Sequence, residues 1–401
     1  MPPEPSASRP ESLGLYLHIP FCRARCSYCD FNTSSHLKHL QEPYFSALAT
    51  ESSRLAASWR GRTVETIYIG GGTPTSVPPK LLLDLLDVVF THWTVASDAE
   101  VTVEANPGTV DATLLRNLSS AGVNRLSLGA QSFQTDELAL LGRIHTVEHI
   151  AEAVQHARSG DMHNVNLDLI YGLPHQHPDA WVASLRHALT LTPQHLSLYA
   201  LSVEDGTPLH QRVIAGELPT PDADLAAGMY ETAEAILVAA GYCHYELSNW
   251  ALSVNGHPAA VQQTHACRHN LRYWRIQPYI GLGAGAHSHA QDIRYSNVES
   301  ILKYIAAVCG GGSPVAERVL ISPSAAAAEG MILGLRLLEG IDCAEFEARY
   351  GSSPIEAYPQ QIAELVQSGL IQLTPGSLML TVRGRLLANQ VFGRFWPPPD
   401  Q

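Results

Sequence analysis

The sequence predicts an α/β protein, a parallel β/α body followed by a small C-terminal α+β unit. Three observations lead there. Six short β-branched or apolar runs recur along the first half of the chain, each trailed by a segment with helical spacing. Successive runs lie far enough apart for a crossover helix. Beyond about residue 313 the pattern changes to helices around one short pair of strands. The chain has 401 residues, 45% apolar and 16% charged. That is ample for two or three cored domains and argues against wholesale disorder.

The six runs are Leu13–Ile19, Glu65–Gly70, Glu100–Asn106, Asn124–Gly129, Asn164–Tyr171 and His195–Leu201. Between them, Pro79–Phe90 predicts a helix, with Leu81, Leu82, Leu85, Leu86 and Val89 at spacings of three and four and prolines at its start. Asp111–Ala121 predicts another, with Asp111 as N-cap and Gly122 as the stop. Repeated β-α units imply parallel strands and right-handed crossovers. Six units fit an open sheet or a partial barrel, and periodicity does not choose. The stretch 211–312 is less regular. It holds a helix over Asp222–Ala240 that ends at Gly241, and the Gly310–Gly312 run with Ser313-Pro314 reads as a linker. Ser322–Leu338, Pro354–Ser368 and Arg383–Phe392 then predict helices, with a hairpin over Leu370–Thr374 and Ser377–Thr381. The expected organisation is a disordered tail over 1–12, a body over 13–210, an extension over 211–312 and a winged-helix-like unit over 313–401.

Composition removes several function classes. With 25 Lys and Arg against 38 Asp and Glu, the net charge is −13, which disfavours nucleic acid as a partner. No apolar run reaches the roughly 18–20 residues of a membrane span. Met1 to Ser12 is proline-rich with no apolar core, unlike a signal peptide. Seven cysteines, three of them within eight residues, point to a cytoplasmic protein with a local metal or redox site.

That local site is Cys22, Cys26 and Cys29, spaced CxxxCxxC directly after the first strand. Three thiolates on one short loop can hold three irons of a 4Fe–4S cluster, leaving the fourth iron for a small chelating molecule. Zinc completed by His36 or His39 is the alternative, although a structural zinc site usually brings a second cysteine pair. Polar groups also gather at successive strand ends, where parallel β/α folds bind ligands. They are Gly70-Gly71-Gly72-Thr73 after the second strand, Glu104 and Asn106 after the third, Gln131 after the fourth and Asp168 on the fifth. Four such groups in register exceed what strand capping needs. Arg143 adds a guanidinium able to grip a carboxylate.

The cysteine triad after a first strand resembles the radical S-adenosylmethionine (SAM) superfamily. From about residue 13 to the C-terminus the motifs resemble its oxygen-independent coproporphyrinogen III oxidase family, with Gly330–Asp342 and Arg383–Phe395 similar to that family's helical cap. The resemblance implies a partial (β/α)6 barrel and a cluster on Cys22, Cys26 and Cys29 whose open iron takes SAM. It implies SAM contacts from Tyr16, Tyr28, Gly71, Gly72, Thr73, Glu104, Gln131, Arg143 and Asp168, with Glu104 at the ribose hydroxyls.

Two departures from the oxidases stand out. Their additional cysteine, two residues past the triad, is Phe31 here, and only 12 residues precede the first strand. Both departures resemble the HemW-type heme chaperones, as does His269-Asn270-Leu-Arg-Tyr273-Trp274, which is similar to their HNxxYW signature. This implies heme as a ligand, and acceptor hemoproteins, respiratory and membrane-associated ones included, as partners. Residues 247–291 carry no Asp or Glu but hold Arg268, Arg272, Arg275 and five histidines. Such a patch suits heme propionates and iron, with Tyr273 and Trp274 as a flat apolar face. His269 is the expected heme ligand, and His265 and Cys267 are not separated from it. The alternative function is the oxidase itself, a radical oxidative decarboxylation of coproporphyrinogen III. A radical-SAM RNA-modifying enzyme is disfavoured by the charge. The Gly281–Gly285 run lacks dinucleotide-fingerprint spacing. Cys243, Cys309 and Cys343 are expected to be core thiols.

Overall fold

The computed structural model describes residues 12–254 and 265–396. Residues 1–11 of the expected tail over 1–12, and one of the five patch histidines, His257, lie outside them. Six strands pair in chain order, all parallel: β1 Leu13–Ile19, β2 Thr63–Gly71, β3 Thr94–Ala105, β4 Arg125–Gln131, β5 Asn164–Tyr171 and β6 His195–Ala200. No ladder joins β6 to β1 among the described residues, yet Tyr68 on β2 and Tyr199 on β6 line one cavity. The sheet therefore curls into a partial barrel, the choice that periodicity left open.

Alternation along the strands explains the layers. Leu13, Leu15, Leu17 and Ile19 on β1, Ile67 and Ile69 on β2, and Val101 and Val103 on β3 join one hydrophobic cluster with the crossover helices. The intervening positions face the lumen and are largely polar: Tyr16, Thr66, Tyr68, Glu104, Ser127, Asn166, Asp168 and Ser197. Packing outside and polar chemistry inside are thus written on the same strands. The helices Pro79–His92 and Ala112–Ser120 form where expected. Asp111 caps the second by accepting from the Leu114 amide at 2.8 Å, and Gly122 leaves it at φ 99°.

Further strands extend both edges. β7 (Tyr242–Glu246) and β8 (Asn249–Leu252) add to β6. On the other side β9 (Tyr279–Leu282) runs parallel to β1, followed by β10 (His287–Ala290), β11 (Ile293–Asn297) and β12 (Val315–Leu320). Buried Glu51, on the helix Gln41–Ser58, secures this edge by accepting from the Gly283 amide (2.8 Å), Asn297 Nδ2 (2.7 Å) and Tyr304 Oη (2.6 Å). The glycine run begins in β9 and leaves it at Gly283, which has φ 101° and where a Cβ would lie 2.5 Å from Tyr44 Oη.

The expected linker needs correction. Gly310–Gly312 is a turn inside the large sheet, because β12 after it pairs with β11. The change of core comes near Ser322. Beyond it Met331, Leu335, Phe346, Ile362, Leu378 and Phe395 belong to a separate cluster. Three strands build this unit rather than two: β13 (Ile341–Asp342), β15 (Ser377–Leu380) and β14 (Ile371–Thr374), in that order. Two expected helices are each split, into Pro354–Ala357 with Pro359–Gln367 and into Val382–Leu386 with Ala388–Phe392. Pro359 removes the amide that would have continued the first. Cys309 is exposed, and Cys243 and Cys343 are only half-buried, so none is a core thiol. No helix among the described residues is long and apolar enough to cross a membrane.

Candidate cofactor site at the barrel mouth

The loop after β1 carries Cys22, Cys26 and Cys29, all free and half-buried. They line one cavity of about 330 Å³ with Tyr28, Gly71, Gly72, Thr73, Glu104, Gln131, Arg143 and Asp168. The mouth thus brings together the three expected cluster ligands and eight of the nine expected SAM contacts. Tyr16 sits just outside the lining, its Oη 3.0 Å from His18 Nδ1 and its ring beside Tyr68.

Each group is held by the strand end that bears it. Gly71 has φ 110°, and a Cβ there would meet the His18 ring at 2.4 Å. Gly72 packs as tightly, with its amide on Ile19 O at 2.8 Å and its Cβ position 2.8 Å from Phe21 O. These two glycines are demanded by the fold itself, before any ligand arrives. A Cβ on Gly70 would lie 2.7 Å from Glu104 Oε2, so that glycine clears room for the carboxylate. Glu104 accepts from Tyr68 Oη at 2.8 Å and from the Gly71 amide at 3.0 Å. Burial and the nearby Asp168 charge push its carboxyl up to about 7, against those two hydrogen bonds. Asp168 accepts from Asn166 Nδ2 at 2.8 Å and Ser127 Oγ at 3.2 Å, and burial raises its carboxyl too. Gln131 takes a left-handed backbone, φ 66°, where β4 ends. Such strain in a side-chain-bearing residue concentrates at functional sites.

Arg143 ties the mouth together. It donates to Cys26 Sγ at 3.1 Å, to Gly129 O at 2.8 Å and to Asn106 Oδ1, while its Nε is buried without a partner. Asn106 in turn donates to Thr73 Oγ1 at 2.8 Å, and Thr73 Oγ1 lies 3.5 Å from Cys22 Sγ. Burial pushes the Cys22 thiol up, while Thr73 and Arg143 pull it back toward the thiolate. Among the described residues no three His, Cys, Asp or Glu groups converge as the ligands of a single metal ion. The zinc reading with His36 or His39 therefore lacks its geometry. Three free thiols spread around one cavity fit a multi-iron cluster, in which each thiolate meets a different iron.

Sequence reasoning missed Tyr68, Ser127 and Tyr199, which line the same cavity from within β2, β4 and β6. Their signal was a polar residue alternating with apolar ones one to four positions before each strand ends. The structure also separates His269 from the mouth. His269 is 0% exposed on the helix Arg268–Trp274, which closes the opposite end of the barrel. Its Nδ1 lies 2.8 Å from Thr66 Oγ1 and its Nε2 2.9 Å from Tyr273 Oη. Both ring nitrogens are hydrogen-bonded within the chain. Cys267 is also 0% exposed, beside Glu100. His265 alone of the three keeps partial exposure. It lines an open groove of about 850 Å³ with Arg268 and Arg275.

Comparison with known proteins places this geometry. Residues 16–188 match the radical SAM superfamily, and residues 321–387 match the HemN C-terminal domain. The chain is similar to the heme chaperone HemW of Mycobacterium tuberculosis, 38% identical over 384 residues, 95% of this chain and 94% of that protein. It is 36% identical over 381 residues to the heme chaperone HemW of Bacillus subtilis, covering 95% of this chain and 98% of the relative. Its fold matches the coproporphyrinogen III oxidase HemN of Escherichia coli, a radical SAM enzyme, at a TM-score of 0.83 and 24% identity, over 97% of this chain and 91% of that one. With relatives this similar along nearly its whole length, and a cysteine-bearing barrel mouth to match, the chain belongs to the HemW family of the radical SAM superfamily.

Proposed function

We propose that this protein is a heme chaperone of the cytoplasm, holding a 4Fe–4S cluster and SAM at the barrel mouth and passing heme to apo-hemoproteins. The similarity to proteins named heme chaperone HemW over 95% of the chain carries the reading. Cys22, Cys26 and Cys29 hold the cluster. Arg143 supplies the positive charge that faces a carboxylate, and Glu104 and Asp168 are acceptors for hydroxyl and ammonium donors. Bound together, cluster and SAM supply one-electron chemistry. This chain's part is to orient the ligand between the glycine turn and the β3–β5 ends, and to shelter it from water. Phe31, 64% exposed at the rim, presents an apolar face where the oxidases have a cysteine. Acceptor hemoproteins at a membrane are reached without a membrane-spanning helix in the described residues.

For heme iron we assign His265, the accessible one of the three candidate ligands, with Arg268 and Arg275 in the same groove for the propionates. The test is an anaerobic heme titration of the cluster-reconstituted protein, followed by incubation with an apo-hemoprotein. About one heme per chain, weakened by His265→Ala and transferred to the acceptor, is expected. Absence of transfer, with protoporphyrinogen formed from coproporphyrinogen III instead, would make the protein an oxidase.

A further inference from the structure

The HNxxYW motif has a place in the barrel that connects it to the cofactor mouth. The ring of His269 lies against the Tyr68 ring, with centroids 5.3 Å apart and planes 29° from parallel. Tyr68 in turn donates from Oη to Glu104 Oε1. The same Tyr68 ring neighbours Tyr16 at 6.3 Å and 26°. His269 is immobilised on every side. Its amide donates to Glu100 Oε1 at 2.9 Å, and its two ring nitrogens meet Thr66 and Tyr273. Thr66 and Tyr68 are alternate residues of β2 and share its lumen face. His269 and Tyr273 are four apart on one helix and share its inner face. The motif helix is itself locked, since Arg272 donates to Ser12 O, Pro278 O and Glu65 Oε2. Trp274, the last motif residue, lies under Arg336 of the C-terminal unit at 4.2 Å.

We propose that His269 is a positioning residue of the SAM site: it backs the Tyr68 ring, which fixes the Glu104 carboxylate for ligand hydroxyls. The inference rests on the reading of the mouth as a SAM site. A tyrosine ring free to tilt would swing its hydroxyl off Glu104 Oε1 and leave a buried carboxylate with one donor instead of two. Burial has already driven His269 well toward its neutral form, so its contribution is shape and fixed hydrogen bonds rather than charge.

The experiment measures SAM binding by equilibrium dialysis on cluster-reconstituted protein from pH 6 to 9. Wild type is compared with His269→Gln, His269→Ala and Tyr68→Phe, and heme titration and thermal melting are run on each. Glutamine keeps hydrogen-bonding capacity for Thr66 and Tyr273 but removes the flat ring, so it separates backing from folding. Both His269 variants are expected to weaken SAM about tenfold while heme stoichiometry stays near one. Tyr68→Phe is expected to move the pH midpoint of SAM binding upward, because the phenol that favours the carboxylate form is gone. A smaller upward movement is expected in His269→Gln, which a merely structural role would not produce. An unchanged SAM affinity and pH midpoint in His269→Gln would overturn the inference, as would loss of heme alone. Wild-type protein that holds a cluster but binds no SAM would overturn the mouth assignment itself, a different failure.

Discussion

The two ends of the barrel are built from the same strands and are both rich in buried polar groups, yet they do different work. At the floor the partners are internal. Glu100 accepts the amides of Arg268 and His269 at 2.9 Å each, His269 is bonded at both nitrogens, and Arg125, 1% exposed, lies among Glu100, Cys267 and Tyr245. At the mouth the groups are pre-positioned around an open cavity. Three thiols carry no disulfide, and Glu104 and Asp168 crowd two acidic groups into one cavity. Enclosed networks specify structure, while charged groups gathered on a cavity mark where something else binds.

Substitutions at the two ends should therefore separate loss of cofactor from loss of fold. The largest effect is expected at the mouth: Cys22→Ala, Cys26→Ala or Cys29→Ala abolishes the cluster, read as iron and sulfide per chain, with little change in far-UV circular dichroism. At the floor, Glu100→Ala strips two helix-end amides of their acceptor and leaves Arg125 without its counter-charge. A loss of about 3 kcal/mol in denaturant unfolding is expected. An equally stable variant would show that the floor is not a structural seam.

Glu104→Gln gives a result of mixed sign. Its carboxyl lies near 7 in the folded chain, above the ordinary value of 4.5. The neutral form is thus favoured by folding, and the stability this confers is full below about pH 4.5 and lost as pH rises through about 7. The variant should weaken SAM at least tenfold yet stabilise the ligand-free protein at pH 8, by up to about 3 kcal/mol and by nothing at pH 4. Equal stabilisation at both pH values would contradict the burial argument. The smallest effect lies away from both ends. Asp111→Ala removes an N-cap and should cost about 1 kcal/mol without touching cofactor binding.

The same contrast governs what could be read from the chain. The six strands were legible because their apolar residues alternate or run together. The mouth residues were legible because they fall on strand ends and one cysteine loop. β12 was not, since most of its residues are exposed at a sheet edge and carry no core pattern. Tyr68, Ser127 and Tyr199 were missed because they lie inside strands, where a single polar residue reads as packing until the curl of the sheet gathers several. The surroundings of His269 were hidden for a related reason. Residue type shows that imidazole is available, but only the helix orientation shows that Thr66 and Tyr273 already hold both nitrogens.

The central claim, that the mouth takes a cluster with SAM on its open iron, is tested most directly by electron paramagnetic resonance of the reduced, reconstituted protein. The account predicts a 4Fe–4S signal that changes shape when SAM is added and loses that response in Glu104→Gln at low SAM concentration. A cluster whose spectrum is identical with and without saturating SAM would contradict it.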